Sequence, residues 1–355
     1  MSETPTAAPR AARGPVLRTR GGLSLRLHLR GALAGLLLAV LALAVAVLLI
    51  GTGDYAIPPG EVLRTLTGGG TAAQEFIVHE LRLPRVLVAL LVGLALGVSG
   101  AVFQAVSRNP LGSPDVVGFN QGSAAGALTV IVLLDGSTAA VAAGAVGGGL
   151  LTGLAVYLLA WRGGVHGYRL VLVGIGAAAT LTAVNSYLLT RAEIVDAARA
   201  VLWLTGSLNG RDWGEFWPLL AACAVLLPLI LTQGAPLRML EMGDEAAGAL
   251  GVRVERTRLL LVVAAVLLTA VATAAAGPIV FVALTAPQLA RRLTRAPGPN
   301  LLPAALMGAL LMAASDYLAQ SAFPGRQLPV GAVTSVLGGA YLLWLLYTER
   351  RAGRV

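Results

Sequence analysis

The chain has 355 residues, 57% of them hydrophobic and only 12% charged, where a soluble domain carries roughly 25% charged residues. That deficit and a series of apolar runs exclude an ordinary pair of soluble domains and indicate a polytopic membrane protein. All 26 basic residues behind the net charge of +9 are Arg; without Lys there is no GxxxxGK[ST] phosphate loop, so any ATP-driven motor sits on another polypeptide.

Uncharged gaps set out the spans in chain order, since a spanning helix needs about 20 apolar residues. An Ala-, Pro- and Arg-rich tail, residues 1–29, is expected to be disordered, and its positive charge suits an uncleaved first span rather than a signal peptide. The membrane domain is expected over 30–349, followed by a short tail at 350–355. The gaps are Arg30–Asp54, Arg85–Arg108, Asp115–Asp135, Asp135–Arg162, Arg169–Arg191, Glu215–Arg238, Arg258–Arg291, Arg295–Asp316 and Arg326–Glu349. The run from Arg258 to Arg291 would be about 48 Å long as one helix, against a hydrocarbon core of about 30 Å. Gly277-Pro278 and Pro287 divide it into a full span and a shorter helix, which brings the total to ten spans.

Ten spans put both termini on one side, with nineteen of the 26 arginines. The positive-inside rule makes that side cytoplasmic. Arg facing anionic lipid explains the charge without nucleic acid. Small residues recur at four-residue spacing in Gly93/Gly97/Ala101/Ala105, Gly144/Gly148 and Gly149/Gly153, a pattern for close helix packing. Spans two to five and seven to ten read as two four-helix units, inverted relative to each other.

Four places carry possible function. Arg82 and Arg85 flank Pro84 at the outer start of the second span, as a docking site for a soluble partner or as headgroup anchors. Ser107–Gly118, with Asn109, Pro110 and Gly112, is not regular helix, and such backbone lies at membrane depth only when buried in protein or lining a cavity. Met242, Gly243, Asp244, Glu245, Ala246, Ala247, Ala249, Leu250 and Gly251 read as a short helix ending at a glycine. Ala246, Ala249 and Leu250 share one face, which suits docking into a groove; the alternative is a solvated charged loop. Asp316 is an acid deep in a span, read here as structural. His28, His79 and His166 show no metal-ligand spacing, and Cys223 reads as a packed small hydrophobe. No cofactor or bound metal is expected.

The stretch LRLPRVLVALLVGLALGVSGAVFQAVSRNPLGSPDVVGFNQGSAAG (Leu81–Gly126) resembles the FecCD-type permeases, the BtuC-like subunits of bacterial iron-chelate and cobalamin importers. Trp203–Gly210, Gly243–Arg258, Ala275–Leu293 and Leu328–Leu346 match in the same order, and the last looks most like the ferric-enterobactin branch. The resemblance implies an all-α permease of about ten transmembrane helices with inverted four-helix repeats, acting as a dimer with an identical or homologous second permease subunit in the bacterial cytoplasmic membrane. It makes the Gly243–Gly251 segment the coupling helix for cytoplasmic ATPase subunits. It makes Arg82 and Arg85 contacts for an extracytoplasmic siderophore-binding protein. Gln327 stands where relatives have Glu, and Arg326 is the candidate for their third docking Arg. Asn109, Pro110 and Gly112 become a turn on the translocation path. The chain is then a transport subunit and not an enzyme. Three alternatives stay open: a cobalamin or haem importer of the same build, an ion-coupled secondary transporter working through Asp316, and a non-transporting membrane scaffold.

Overall fold

The computed structural model describes residues 16–18, 24–26, 29–161, 167–323 and 327–351. Much of the expected N-terminal tail, the end of the C-terminal tail and Arg326 lie outside the described residues. Within 1–29, where no regular structure is expected, a two-stranded antiparallel ribbon pairs β1 (Val16–Arg18) with β2 (Ser24–Arg26). Everything else that is regular is helical.

Helix α1 (Leu29–Gly51) is the first apolar span. A short helix, α2 (Pro59–Leu66), follows with a proline in its first turn, where the missing N–H forfeits nothing. Helix α3 (Ala72–Phe76) starts at a Thr71/Gln74 capping box. It runs through a π-helical turn, Ile77–Arg82, into α4 (Leu83–Ser107). The sequence suggests a helix start at Pro84; the chain instead runs helically through it. Pro84 cannot donate to the preceding turn, and the Leu83 N–H reaches back to the Val78 carbonyl, widening the helix just ahead of the proline.

Next come α5 (Phe119–Leu134), α6 (Thr138–Ala160) and α7 (Gly167–Arg191), then the amphipathic α8 (Ile194–Leu204) and α9 (Trp213–Thr232). The gap from Glu215 to Arg238 is therefore not one span. Helix α9 stops at Thr232, and α10 (Gly234–Glu241) begins at Gly234 with Pro236 in its first turn. Helix α11 (Asp244–Ala249) leads to α12 (Val254–Ala276), α13 (Val282–Thr294), α14 (Leu301–Ser321) and α15 (Val330–Arg351).

Each of the ten expected spans corresponds to a helix. Among the described residues seven are long and apolar enough to cross a membrane, and Phe119–Leu134 and Val330–Leu345 are shorter apolar helices. Helix α13, with 13 residues, is about 20 Å long, a half-span preceded by the expected break.

Helix α4 is the axis of the bundle and packs against α14, α12, α13 and α9. Its glycines set the spacing. A methyl group on Gly93 would run into the Gly308 carbonyl, one on Gly97 into that of Ala304, and one on Gly100 into that of Ala283. Gly144 and Gly148 meet Gly126 and Gly122 across the α5–α6 pair, while Gly149 and Gly153 face Ala270 and Val266 of α12. The two four-helix units have matching partners: α4 lies on α14 as α12 lies on α6, and α5 pairs with α6 as α13 pairs with α14.

These contacts predict a graded response to one added methyl group. Gly100→Ala should lower the thermal midpoint of the detergent-purified protein by several degrees or abolish its monodisperse elution. Gly147→Ala, at a site with nothing within 4 Å, should leave both unchanged.

Candidate functional site: two ends of one buried helix

Arg85 and Arg108 bracket α4, whose 25 residues extend about 37 Å. Each end carries a cluster of charges.

At the first end the guanidinium of Arg85 grips Asp316 of α14 with two nitrogens. Nε donates to Oδ2 at 3.1 Å and Nη2 to Oδ1 at 2.8 Å. Nη1 donates to Gln327 Oε1 at 3.2 Å, and Gln320 Nε2 donates to Asp316 Oδ2 at 3.0 Å. The Asp316 side chain is fully buried and that of Arg85 is 12% exposed. Such a fork is the strong form of ion pair, and a buried acid needs it. Arg82, one turn earlier, donates to the carbonyls of Ile50 and Tyr55, both at 2.7 Å, and pins the chain that leaves α1. Of the three predicted docking arginines, Arg82 and Arg85 thus have internal partners, Arg82 without an ion pair, and Arg326 lies outside the described residues. Sequence reasoning treated Arg85 and Asp316 separately. The cue was available: an acid inside a span calls for a cation at the same depth.

At the other end, α4 stops at Arg108 in left-handed conformation. Asn109 Oδ1 accepts the Leu111 N–H at 2.9 Å, and the Asn109 carbonyl accepts the Gly112 N–H at 2.9 Å. The Pro110 carbonyl accepts Gln288 Nε2 of α13 at 2.6 Å. Gly112 is buried where a methyl group would collide with the Ser107 hydroxyl. The expected turn is therefore built and tied to α13.

The chain beyond it turns inward. Asp115 Oδ1 accepts Asn120 Nδ2 at 2.7 Å, and Oδ2 accepts the backbone N–H of Phe281 at 3.2 Å. Asn120 Oδ1 accepts the Thr273 hydroxyl at 3.2 Å. Phe281, with φ +68°, begins α13. The non-helical stretch between α12 and α13 thus receives side-chain partners from the non-helical stretch between α4 and α5, which meets the demand on buried backbone. Sequence reasoning did not join these two segments; an acid and an amide flanking a glycine-rich turn were the available signal.

The short charged element lies beside this turn. Helix α10 buries Leu237 and Leu240 and packs on α4. Glu241 accepts from Arg291 of α13 at 2.7 Å. Burial pushes the Glu241 carboxyl up from its ordinary range, and the Arg291 guanidinium opposes that shift. Gly243 has φ +113°, a conformation suited to glycine. Asp244 and Glu245 then place negative charge in the first turn of α11. The C-terminus closes as a Schellman motif: the Val252 N–H bonds the Ala247 carbonyl, and the N–H of Gly251 (φ +86°) bonds that of Gly248. Ala247 is fully buried, whereas Ala246, Ala249, Leu250 and Met242 are exposed. Arg258 of α12, only 3% exposed, donates to Asp244 and Glu255, each at 2.7 Å. The helix thus presents a small-residue face and is clamped from behind to α12. A cleft of about 410 Å³ lies between the turn, the end of α10 and α13, lined by Gln104, Arg108, Asn109, Glu241 and Arg291 among others.

Among the described residues no group of three or more His, Cys, Asp or Glu could hold a metal ion. Removing one partner of the Arg85–Asp316 pair strands a buried charge, so Arg85→Leu should destabilise the protein by ~3 kcal/mol or more. The double variant Arg85→Leu/Asp316→Leu should recover most of that loss in thermal unfolding, which separates the pair from a general packing defect.

A family model described as the FecCD transport family matches residues 37–348. The chain is 49% identical over 300 residues to the ferric enterobactin transport system permease protein FepG of Escherichia coli (strain K12), covering 84% of this chain and 91% of the relative. It is 37% identical over 303 residues to the iron(3+)-hydroxamate import system permease protein FhuG of Bacillus subtilis (strain 168), covering 83% and 90%. A solved structure described as the inward-facing conformation of a metal-chelate type ABC transporter superposes with a TM-score of 0.78 at 27% identity, covering 89% of this chain and 99% of that one.

Proposed function

The chain belongs to the FecCD transport family, and from that premise we propose that it is the permease subunit of an ATP-binding-cassette importer for a ferric siderophore. The observation that carries the reading is α11: a short helix with exposed Ala246, Ala249 and Leu250, fastened by the Arg258 clamp to α12.

A cytoplasmic ATPase subunit receives that face in a groove. Its movement on hydrolysis pulls on α12 through Asp244–Arg258 and on α13 through Glu241–Arg291. Because α12 and α13 meet at the break held by Asp115 and Asn120, the pull reaches the wall of the path. Asn109, Pro110 and Gly112 form the hinge between that wall and α4. The Arg distribution supports a reading in which α10, α11 and both termini lie on the cytoplasmic side of a bacterial inner membrane. A siderophore-binding protein docks at the other end. Arg82 contributes the cation there, and Arg85 holds α4 to α14. A second permease subunit, identical or homologous, completes the path. The chain itself moves the chelate without covalent chemistry, and the iron travels wrapped in its chelator as cargo.

An ion-coupled carrier would need Asp316 free to take up and release a proton. Both Asp316 oxygens are already taken by Arg85, with Gln320 as a further donor, and that occupied pair argues against such use.

Reconstitution tests the proposal. The chain, its ATPase and any second permease are placed in proteoliposomes, and ATP hydrolysis is followed with and without binding protein loaded with ferric siderophore. Loaded binding protein should stimulate hydrolysis. Ala246→Arg/Ala249→Arg should reduce the stimulation ~10-fold or more, since charge on a docked small-residue face leaves no room for the partner. Uptake that follows a proton gradient with no ATPase present would refute it.

A further inference from the structure

A groove of about 1050 Å³ runs between α6 and α9, with α12 as its floor. Both helices pack on α12. Its walls are apolar, formed by Ala143, Val146, Gly147 and Leu150 of α6, Leu219 of α9 and Val271 of α12. A methyl group added to Gly147 would meet nothing within 4 Å. Leu151 and Leu154 of α6 and Trp217 of α9 are exposed nearby, so in a bilayer this face meets hydrocarbon. From Thr138 to Leu150 the wall descends about 18 Å, close to the ~15 Å of hydrocarbon in one leaflet.

The mouth is chemically different. Gly210, Arg211, Asp212 and Glu215 line it. Gly210 also lines the cleft at Arg85, so the groove opens at that end of the bundle. Trp213 stacks on Trp217 with ring centroids 6.0 Å apart, and Phe216 meets both edge-on. A tryptophan cluster at the end of an apolar helix marks the level of the lipid headgroups. Arg211 is held by two contacts: Nε donates to the Ser207 carbonyl at 3.3 Å and Nη1 to Glu215 Oε1 at 3.2 Å. Its Nη2 makes no hydrogen bond among the described residues. Glu215 Oε2 accepts the Asp212 N–H at 3.0 Å, and Asp212 Oδ1 accepts the Gly214 N–H at 2.6 Å. Asp212 is exposed and keeps Oδ2 as an acceptor. Pro218 has no N–H to give the Gly214 carbonyl one turn before it, and both residues line the groove.

A cation and an exposed carboxylate, one residue apart, stand above an apolar channel one leaflet deep. That pairing matches a zwitterionic lipid. A purely anionic headgroup would meet the carboxylates of Asp212 and Glu215, and a choline headgroup has no N–H to give Asp212. We propose that the groove is a binding site for phosphatidylethanolamine, with an acyl chain between α6 and α9, the phosphate at Arg211 and the ammonium at Asp212. The site depends on the spans lying in a bilayer and is independent of the cargo.

Native mass spectrometry of the detergent-purified full chain tests it, by competition between phosphatidylethanolamine and phosphatidylcholine with the same acyl chains. Wild type should retain phosphatidylethanolamine ~3-fold over phosphatidylcholine, the scale of a partly exposed charge contact. Asp212→Asn keeps a side chain that caps the helix and should abolish the preference. Gly147→Phe fills the channel and should lower retention of both lipids together. A merely structural role for Asp212 would change retention of both lipids and leave their ratio alone. Equal retention of the two lipids by wild type, no retained lipid at all, or a preference that survives Asp212→Asn would overturn the proposal. Phosphatidylglycerol displacing phosphatidylethanolamine would also overturn it, as the mark of a simple basic patch. If Gly147→Phe does not elute monodisperse, the wild-type and Asp212→Asn ratios decide. None of these readouts involves ATP or a chelate, so failure here leaves the importer reading standing.

Discussion

Backbone that leaves a helix inside a bilayer has no water to bond, and this constraint organises the molecule. The chain leaves helical geometry twice in its middle, at Ser107–Gly118 and at Gly277–Phe281, and each stretch is made tolerable by the other. Asp115 takes the Phe281 N–H, Asn120 reaches the Ile279 carbonyl, and Gln288 takes the Pro110 carbonyl. The Ser207 N–H bonds the last carbonyl of α12, at Ala276. These bonds tie the two irregular stretches, and the helices that flank them, into one joint.

Around that joint the packing has two regimes. Along α4, glycines bring backbones into contact with α14 and α13, where no added methyl group fits. At the ends of α4 the contacts are ionic: Arg85 with Asp316 at one end, and Glu241–Arg291 and Asp244–Arg258 at the other. Close apolar seams are stiff, since interiors do not deform continuously. The charged clamps near α11 are more accessible to solvent than Asp316, with Asp244 33% and Glu241 22% exposed. The clamps therefore join α11 to α12 and α10 to α13, with the closely packed helices behind them.

Much of this was legible in the sequence because charge is expensive in hydrocarbon. Arg108, Asp135 and Arg295 directly follow α4, α5 and α13, so the gaps between charges measured the helices. Gly277-Pro278 marked the break, and Gly251 marked the end of α11. The same rule misled where apolar residues are not in a span. Helices α2 and α8 are short and amphipathic and lie between gaps, and the uncharged run from Glu215 to Arg238 hides the boundary at Gln233 between α9 and α10. Pairings far apart in the chain were out of reach. Arg85 and Asp316 are 231 residues apart, and Asp115 and Phe281 166; no local pattern joins them. Arg82 and Arg85 show the limit most plainly, because a cation near a helix end reads the same whether it awaits a partner or already holds one.

The central claim is that the exposed face of α11 meets an ATPase subunit, and cysteine cross-linking tests it most directly. The native Cys223 is buried in α9, so a Cys223→Ala background leaves Ala249→Cys as the reactive thiol. In membranes containing the complete transporter, the account predicts a cross-linked product with the combined mass of this chain and its ATPase, together with protection of that thiol from an aqueous maleimide. Full maleimide labelling of Ala249→Cys in the assembled transporter, with no such product, would contradict it.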